Sequence, residues 1–222
     1  MDSTDETPQP DGPPRSAGQA ARRLAILDAA KDVFFDQGYQ LASMDRIAEA
    51  AATTKRTLYA YFPNKEALFG AVVAKGCAHV LSQLPDPGQL PTDPRQGLTV
   101  FAGVSADLTA SPGCIKLERL IVAEAERHPR FAATLAEAFD AGEAKLAAYL
   151  EAGIAAGRLK PHDPRLGARL LSGAIGLSAN LRGLLAAELS ADAKALGAQA
   201  AQAAIGLYLD VYAKDAGGAA KP

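Results

Sequence analysis

Apolar side chains recur at three- and four-residue spacing from about residue 17 to residue 213 of this 222-residue chain. No stretch shows sustained alternation of β-branched and polar residues. The first period belongs to helices and the second to half-buried strands, so the pattern predicts an all-α fold without a sheet. Turn signals cut the periodic run into pieces. Gly38, the turn Ala51–Thr54, Pro63, the break Pro85–Pro94, Ser111-Pro112-Gly113, His128-Pro129, Gly157 through Pro164, and Ser190 to Asp192 separate about nine helices. The later ones are expected at about 95–110, 114–127, 130–156, 164–187 and 192–213. Apolar residues make up 49% of the chain, enough to fill a sizeable core.

The densest local information lies in Ser43–Leu68, SMDRIAEAAATTKRTLYAYFPNKEAL. The helix before it, from about Ala17 to Gln37, carries Ile26, Ala30, Val33 and Phe34 on one face. Gly38 stands where a left-handed residue ends a helix, and Tyr39 is placed to fold back on that face. Ser43 is a helix cap with Asp45 in the first turn behind it. Thr53 or Thr54 caps a third helix of about seven residues, which Leu58 and Phe62 anchor and Pro63 stops. Asn64 caps a fourth helix.

The third helix is too short for a core helix, and its polar residues Thr54, Lys55, Arg56 and Thr57 are consecutive at its start. That end points into the major groove when a helix-turn-helix reads DNA. Arg56 has the donors for guanine O6/N7 and Thr57 a methyl for thymine, while Tyr59 and Tyr61 offer hydroxyls to phosphates. Lys65 lies beside free backbone N–H groups at a helix start, another phosphate-binding position. Charge follows the same division. Arg15 to Lys65 hold eight bases and five acids, 8 − 5 = +3, whereas Glu66 to Pro222 hold 15 and 16, 15 − 16 = −1.

Ile26-Leu27-Asp28-Ala29-Ala30, Phe34, Gly38-Tyr39, Ser43-Met44, Ile47-Ala48, Ala51, Thr57-Leu58-Tyr59-Ala60-Tyr61-Phe62 and Lys65-Glu66-Ala67-Leu68 agree in order and distance with a known pattern. Over about residues 17 to 70 the chain resembles the DNA-binding domain of the TetR family of bacterial transcription regulators, in its AcrR-like branch. The family's turn is usually Ala-Gly-Val-Ser. Here it is Ala51-Ala52-Thr53-Thr54, which predicts a turn that tolerates a Cβ. Residues 1–16 are polar with four prolines and read as a disordered tail; the resemblance implies a helix-turn-helix domain at 17–63 and a helical ligand-binding and dimerisation domain at 64–214, followed by a tail at 215–222. It further implies a homodimer on a palindromic double-stranded DNA operator, released by a small apolar or amphipathic effector. Repression is preferred over activation by family habit. On this view Ser43, Thr53, Thr54, Lys55, Arg56, Thr57, Tyr59, Tyr61 and Lys65 contact DNA, with Ser43 a cap first.

The pocket is weakly encoded, because an apolar wall and a core look alike in sequence. Phe101, Ile115, Leu120, Phe139 and Tyr149 are the candidates for it. The helices at 164–187 and 192–213 are the expected dimer pair, with Leu170, Leu177, Leu181, Leu207 and Val211 at the interface and Gly173 and Gly176 allowing close approach. His128 and His162 sit beside prolines and are expected at the surface, His79 in the interior. Glu118, Arg119, Glu124 and Glu126 are expected on a solvated face. Cys77 and Cys114 are expected to be free thiols, Cys77 and Cys114 both buried.

No catalytic constellation, metal spacing, Gly-rich phosphate loop or nucleophile elbow appears, so neither enzyme activity, cofactor nor metal is expected. The longest run without a formal charge, Ala195 to Leu209, is too short to span a bilayer, and the N-terminus lacks an apolar signal core. A cytoplasmic protein without a membrane partner is the expectation. The alternative reading is an all-helical small-molecule binder or enzyme whose head has a role other than DNA binding.

Overall fold

The computed structural model describes residues 17–185 and 191–214. The tails at 1–16 and 215–222 lie outside the described residues. Among the described residues the chain forms nine α-helices: α1 Ala17–Leu41, α2 Met44–Ala50, α3 Lys55–Tyr61, α4 Lys65–Gln83, α5 Pro94–Thr109, α6 Pro112–Glu124, α7 Pro129–Ala155, α8 Pro164–Leu185 and α9 Ala191–Tyr212. A 3-10 turn, Pro87–Gln89, occupies the Pro-rich break, and one isolated bridge pairs Leu159 with Ala213. The all-α expectation holds, and the helix bounds agree with the sequence reading to within a few residues.

The helices divide into two compact units, Met1–Cys77 with Arg119–Leu135, and Ala78–Glu118 with Ala136–Pro222. This division differs from a cut at residue 63. The first turns of α4 supply Leu68, Phe69, Val72 and Val73 to the first unit's core, so they group with the head. The run Lys65–Gln89 is long and apolar enough to cross a bilayer by composition, but these four side chains are buried in the protein.

In the first unit Ile26, Ala30, Val33 and Phe34 of α1 are buried, as their spacing requires. Gly38 has φ 76, a left-handed value that breaks the α1 geometry and turns Tyr39 inward. Tyr39 then stacks on Phe34 at 5.9 Å between ring centroids, while Phe69 meets Phe34 edge-on at 4.9 Å and Phe131 at 4.8 Å. The residues 119–135 thus add α7's Phe131 to the same aromatic core.

The second unit has its own core, with Leu98 and Phe101 of α5, Leu146 and Leu150 of α7, Leu171 and Ile175 of α8, and Ile205 and Leu209 of α9. Tyr149 lies so close to Gly97 that a Cβ there would sit 1.9 Å from its hydroxyl oxygen. That hydroxyl lies 2.8 Å from the Pro91 carbonyl oxygen and 3.1 Å from that of Asp93, fastening the α4–α5 connection to α7. Burial raises the Tyr149 phenol above its ordinary pKa, with Arg158 opposing the shift. Lys145 donates to the Leu81 and Leu84 carbonyls and pairs with Asp86 at 2.9 Å, closing the C-terminal end of α4.

Candidate nucleic-acid interface

The reading head is assembled from local caps. Ser43, in extended backbone, accepts a hydrogen bond from the Arg46 N–H at 3.2 Å and starts α2. The α2–α3 turn closes through Ala52 N–H to Glu49 O at 3.0 Å and Thr53 N–H to Ala48 O at 2.9 Å. Of the two candidates for the α3 cap, the structure selects Thr54, whose oxygen accepts from the Thr57 N–H at 3.1 Å. Thr54 and Thr57 hydroxyls also meet at 2.9 Å. Phe62 ends α3 in extended backbone, directly before Pro63. Asn64 accepts from the Ala67 N–H at 2.8 Å and starts α4.

Ala52 has φ 47, among the described residues the one non-glycine with positive φ. The turn accommodates a Cβ, as expected, but in the left-handed region, where the methyl of Ala52 is strained.

Leu58 is fully buried and holds α3 down, while Thr54, Lys55 and Arg56 are exposed and Thr57 is half-buried. Lys55 pairs with Asp45 across the turn at 2.6 Å. Arg56 makes no hydrogen bond or ion pair among the described residues, so its guanidinium fork is unengaged at the start of α3. Tyr59 is half exposed, whereas Tyr61 is buried against the head. Thr53 is partly covered.

Lys65 departs from the expected phosphate contact. Its ammonium donates to the carbonyls of Tyr39, Gln40 and Ala42 at 2.7, 3.0 and 3.0 Å, using all three of its hydrogens, and it lies 4.6 Å from the Tyr39 ring centroid. It fixes the end of α1 instead of facing outward.

The other site residues fall as follows. Phe101, Ile115 and Tyr149 are buried in the second unit, and the Tyr149 hydroxyl already faces backbone oxygens. Ile115 packs against Gly183, where a Cβ would come within 2.6 Å of its Cδ1. Leu120 belongs to the first unit. Phe139 is 50% exposed. Leu170, Leu181, Leu207 and Val211 are exposed apolar residues. The Leu177 side chain lies outside the described residues, and no neighbour approaches the Cβ position of Gly173.

Long-range packing overturns several charge and histidine expectations. Glu118 and Glu124 are buried, not solvated. Glu124 accepts a 2.6 Å hydrogen bond from the Gln40 side-chain amide, and Glu118 accepts from the Cys114 thiol at 3.5 Å. His79 is exposed. His128 packs 5.1 Å from the Tyr39 ring and 3.3 Å from Glu66, while His162 stacks on Tyr212 at 4.1 Å and hydrogen-bonds Tyr208. Burial raises the Tyr39 and Tyr208 phenols above their usual pKa. Neither cysteine is in a disulfide among the described residues; Cys77 is buried and Cys114 only partly so. Gln40 and Glu124 were invisible as a pair because 84 residues separate them and neither carries a local motif.

Comparison with known proteins matches the geometry. Residues 26–72 match the family described as bacterial regulatory proteins, tetR family. Residues 96–214, more than half the chain, match the AefR-like transcriptional repressor, C-terminal domain. The HTH-type transcriptional activator FasR of Mycolicibacterium smegmatis is 39% identical over 77 residues, 35% of this chain and 35% of that protein. The chain thus matches about a third of the length of the curated relatives to which it is similar. Solved structures align over far more of it. A TetR-family transcriptional regulator from Mesorhizobium loti has a TM-score of 0.72 at 26% identity, covering 88% of this chain and 98% of the other. The flavonoid-responsive regulator FrrA has 0.70 at 29%, covering 89% and 100%. With the capped short helix, the exposed Arg56 and a matching C-terminal domain in one polypeptide, this chain belongs to the TetR family of bacterial regulatory proteins.

Proposed function

We propose that this chain is a cytoplasmic transcriptional repressor that binds a palindromic operator as a homodimer and is released by a small amphipathic effector. The observation that carries the reading is the start of α3, where Thr54, Lys55 and Arg56 are exposed while Leu58 anchors the helix to the head. Arg56 reads a base edge in the major groove, Lys55, Thr57 and Tyr59 meet the backbone or neighbouring bases, and Ser43 adds a phosphate contact beyond its cap. Repression over activation is supported by the AefR-like repressor domain that spans most of the second unit. The apolar residues Leu170 and Leu181 of α8 and Leu207 and Val211 of α9, all exposed in the single chain, support a dimer built on these two helices. A small effector is supported by FrrA, a flavonoid-responsive protein of similar fold and length. Phe101 and Ile115 remain its candidate contacts within the second unit. Release requires that the effector bind more tightly to the head spacing that fails to fit DNA.

A mobility shift on the DNA upstream of the gene tests the reading. The wild type retards that fragment in preference to a random duplex. Arg56→Ala weakens binding by about 1–3 kcal/mol at a site with guanine opposite it and relaxes preference at that position. Equal weakening on every sequence would reassign Arg56 to a phosphate, and no retardation by the wild type would sink the proposal.

A further inference from the structure

Helix α6 runs unbroken from Pro112 to Glu124, yet its residues divide between the two compact units after Glu118. Its last turn therefore belongs with the DNA-reading head. There Glu124 is 5% exposed and accepts the 2.6 Å hydrogen bond from the Gln40 amide. The Glu124 carbonyl also accepts from the N–H groups of Arg127 and His128, at 3.1 and 2.8 Å, so the same residue organises the turn into α7. That turn is tied to the start of α4, because Glu66 pairs with Arg130 at 2.9 Å and faces His128 at 3.3 Å.

Gln40 occupies a sensitive position. It lies in the short stretch between the Gly38 break in α1 and the Ser43 cap of α2. The carbonyls of Tyr39, Gln40 and Ala42 in that stretch are held by Lys65 from α4. Its remaining side-chain tie comes from α6. A buried carboxylate is a poor way to add stability, since an apolar side chain of similar volume serves as well, whereas a satisfied buried polar contact fixes one geometry. The path of residues 39–43 sets where α2 begins, and α2 and its turn set the direction of α3.

We infer that the Gln40–Glu124 hydrogen bond is a positioning contact for DNA reading, through which the end of α6 sets the path of the chain into α2 and α3. This rests on the DNA-binding function proposed above. Glu124 touches no DNA in this account and acts through Gln40.

The test compares wild type, Glu124→Ala, Glu124→Gln and Gln40→Ala by fluorescence anisotropy on the upstream duplex and on a random duplex. Amide hydrogen exchange of Ala42 to Ile47 is followed in the same full-length proteins without DNA. Gln40→Ala changes an exposed residue, so it keeps the comparison alive if Glu124→Ala folds poorly. Glu124→Ala and Gln40→Ala lose about tenfold in affinity for the upstream duplex, the scale of one charge-assisted hydrogen bond, and bind random duplex as before. Their Ala42–Ile47 amides exchange faster. Glu124→Gln, which keeps an acceptor oxygen in place, stays within about twofold of wild type in both measurements. Wild-type preference and exchange in both alanine variants, or a glutamine variant as impaired as alanine, would overturn the inference. A wild type with no preference for the upstream duplex would overturn the DNA-binding proposal itself, a separate outcome.

Discussion

Ala52 adopts φ 47 in the turn that aims α3, a conformation that costs an L-residue with a Cβ about 1–2 kcal/mol. Ala52→Gly removes that strain but gains chain entropy when unfolded, offsetting about 0.4–1 kcal/mol of the relief. The variant is therefore more stable by about 0.5–1 kcal/mol in urea unfolding, and a fall in stability would show that the methyl is comfortable there. The substitution itself was legible in the sequence; its conformation was not, because Ala52 carries no signal of the backbone the turn imposes. The same limit explains Glu118 and Glu124. A run of charges on a helix reads as solvated, and only a partner far along the chain, such as Gln40, makes burial tolerable. The exposed position of Arg56 was legible because its setting is local: a cap at Thr54, an anchor at Leu58 and a stop at Pro63.

At the level of elements, α1 to α4 are written in short-range signals. Ser43, Thr54 and Asn64 each accept from an N–H three residues ahead, so residue type and spacing were enough to place three helix starts. What holds the elements to one another was less visible. Lys65 looked like a phosphate contact at a helix start, yet its ammonium closes the end of α1 through three carbonyls. Lys145 closes the end of α4 in the same manner. Neither partner set is a sequence pattern. Lys65→Met keeps the apolar stem and loses the charge-assisted bonds, so it destabilises the protein by about 1.5–3 kcal/mol in urea unfolding. The salt dependence of DNA binding by the folded variant stays that of wild type. A shallower slope would return Lys65 to the phosphates.

For the whole molecule, the function follows from a modest basic head joined in one chain to a helical unit that leaves apolar residues uncovered. Leu166 and Leu170 are one turn apart on α8, as are Leu207 and Val211 on α9, and all four are more than half exposed. If α8 and α9 form the proposed dimer interface, light scattering reports a dimer for the wild type and a monomer for Leu170→Glu combined with Leu207→Glu. A wild type that is already monomeric at micromolar concentration would move the interface elsewhere or remove it. Dimerisation matters because two α3 helices reach successive major grooves, about 34 Å apart, only when the spacing is fixed by a partner.

The most direct measurement is the affinity of the wild-type protein for its upstream duplex and for a random duplex across a salt series. A reading head of this kind binds the upstream duplex at least about 10³-fold more tightly, and both affinities fall linearly in the logarithm of salt with a steep negative slope. Equal affinity for the two duplexes, or binding indifferent to salt, would contradict the account.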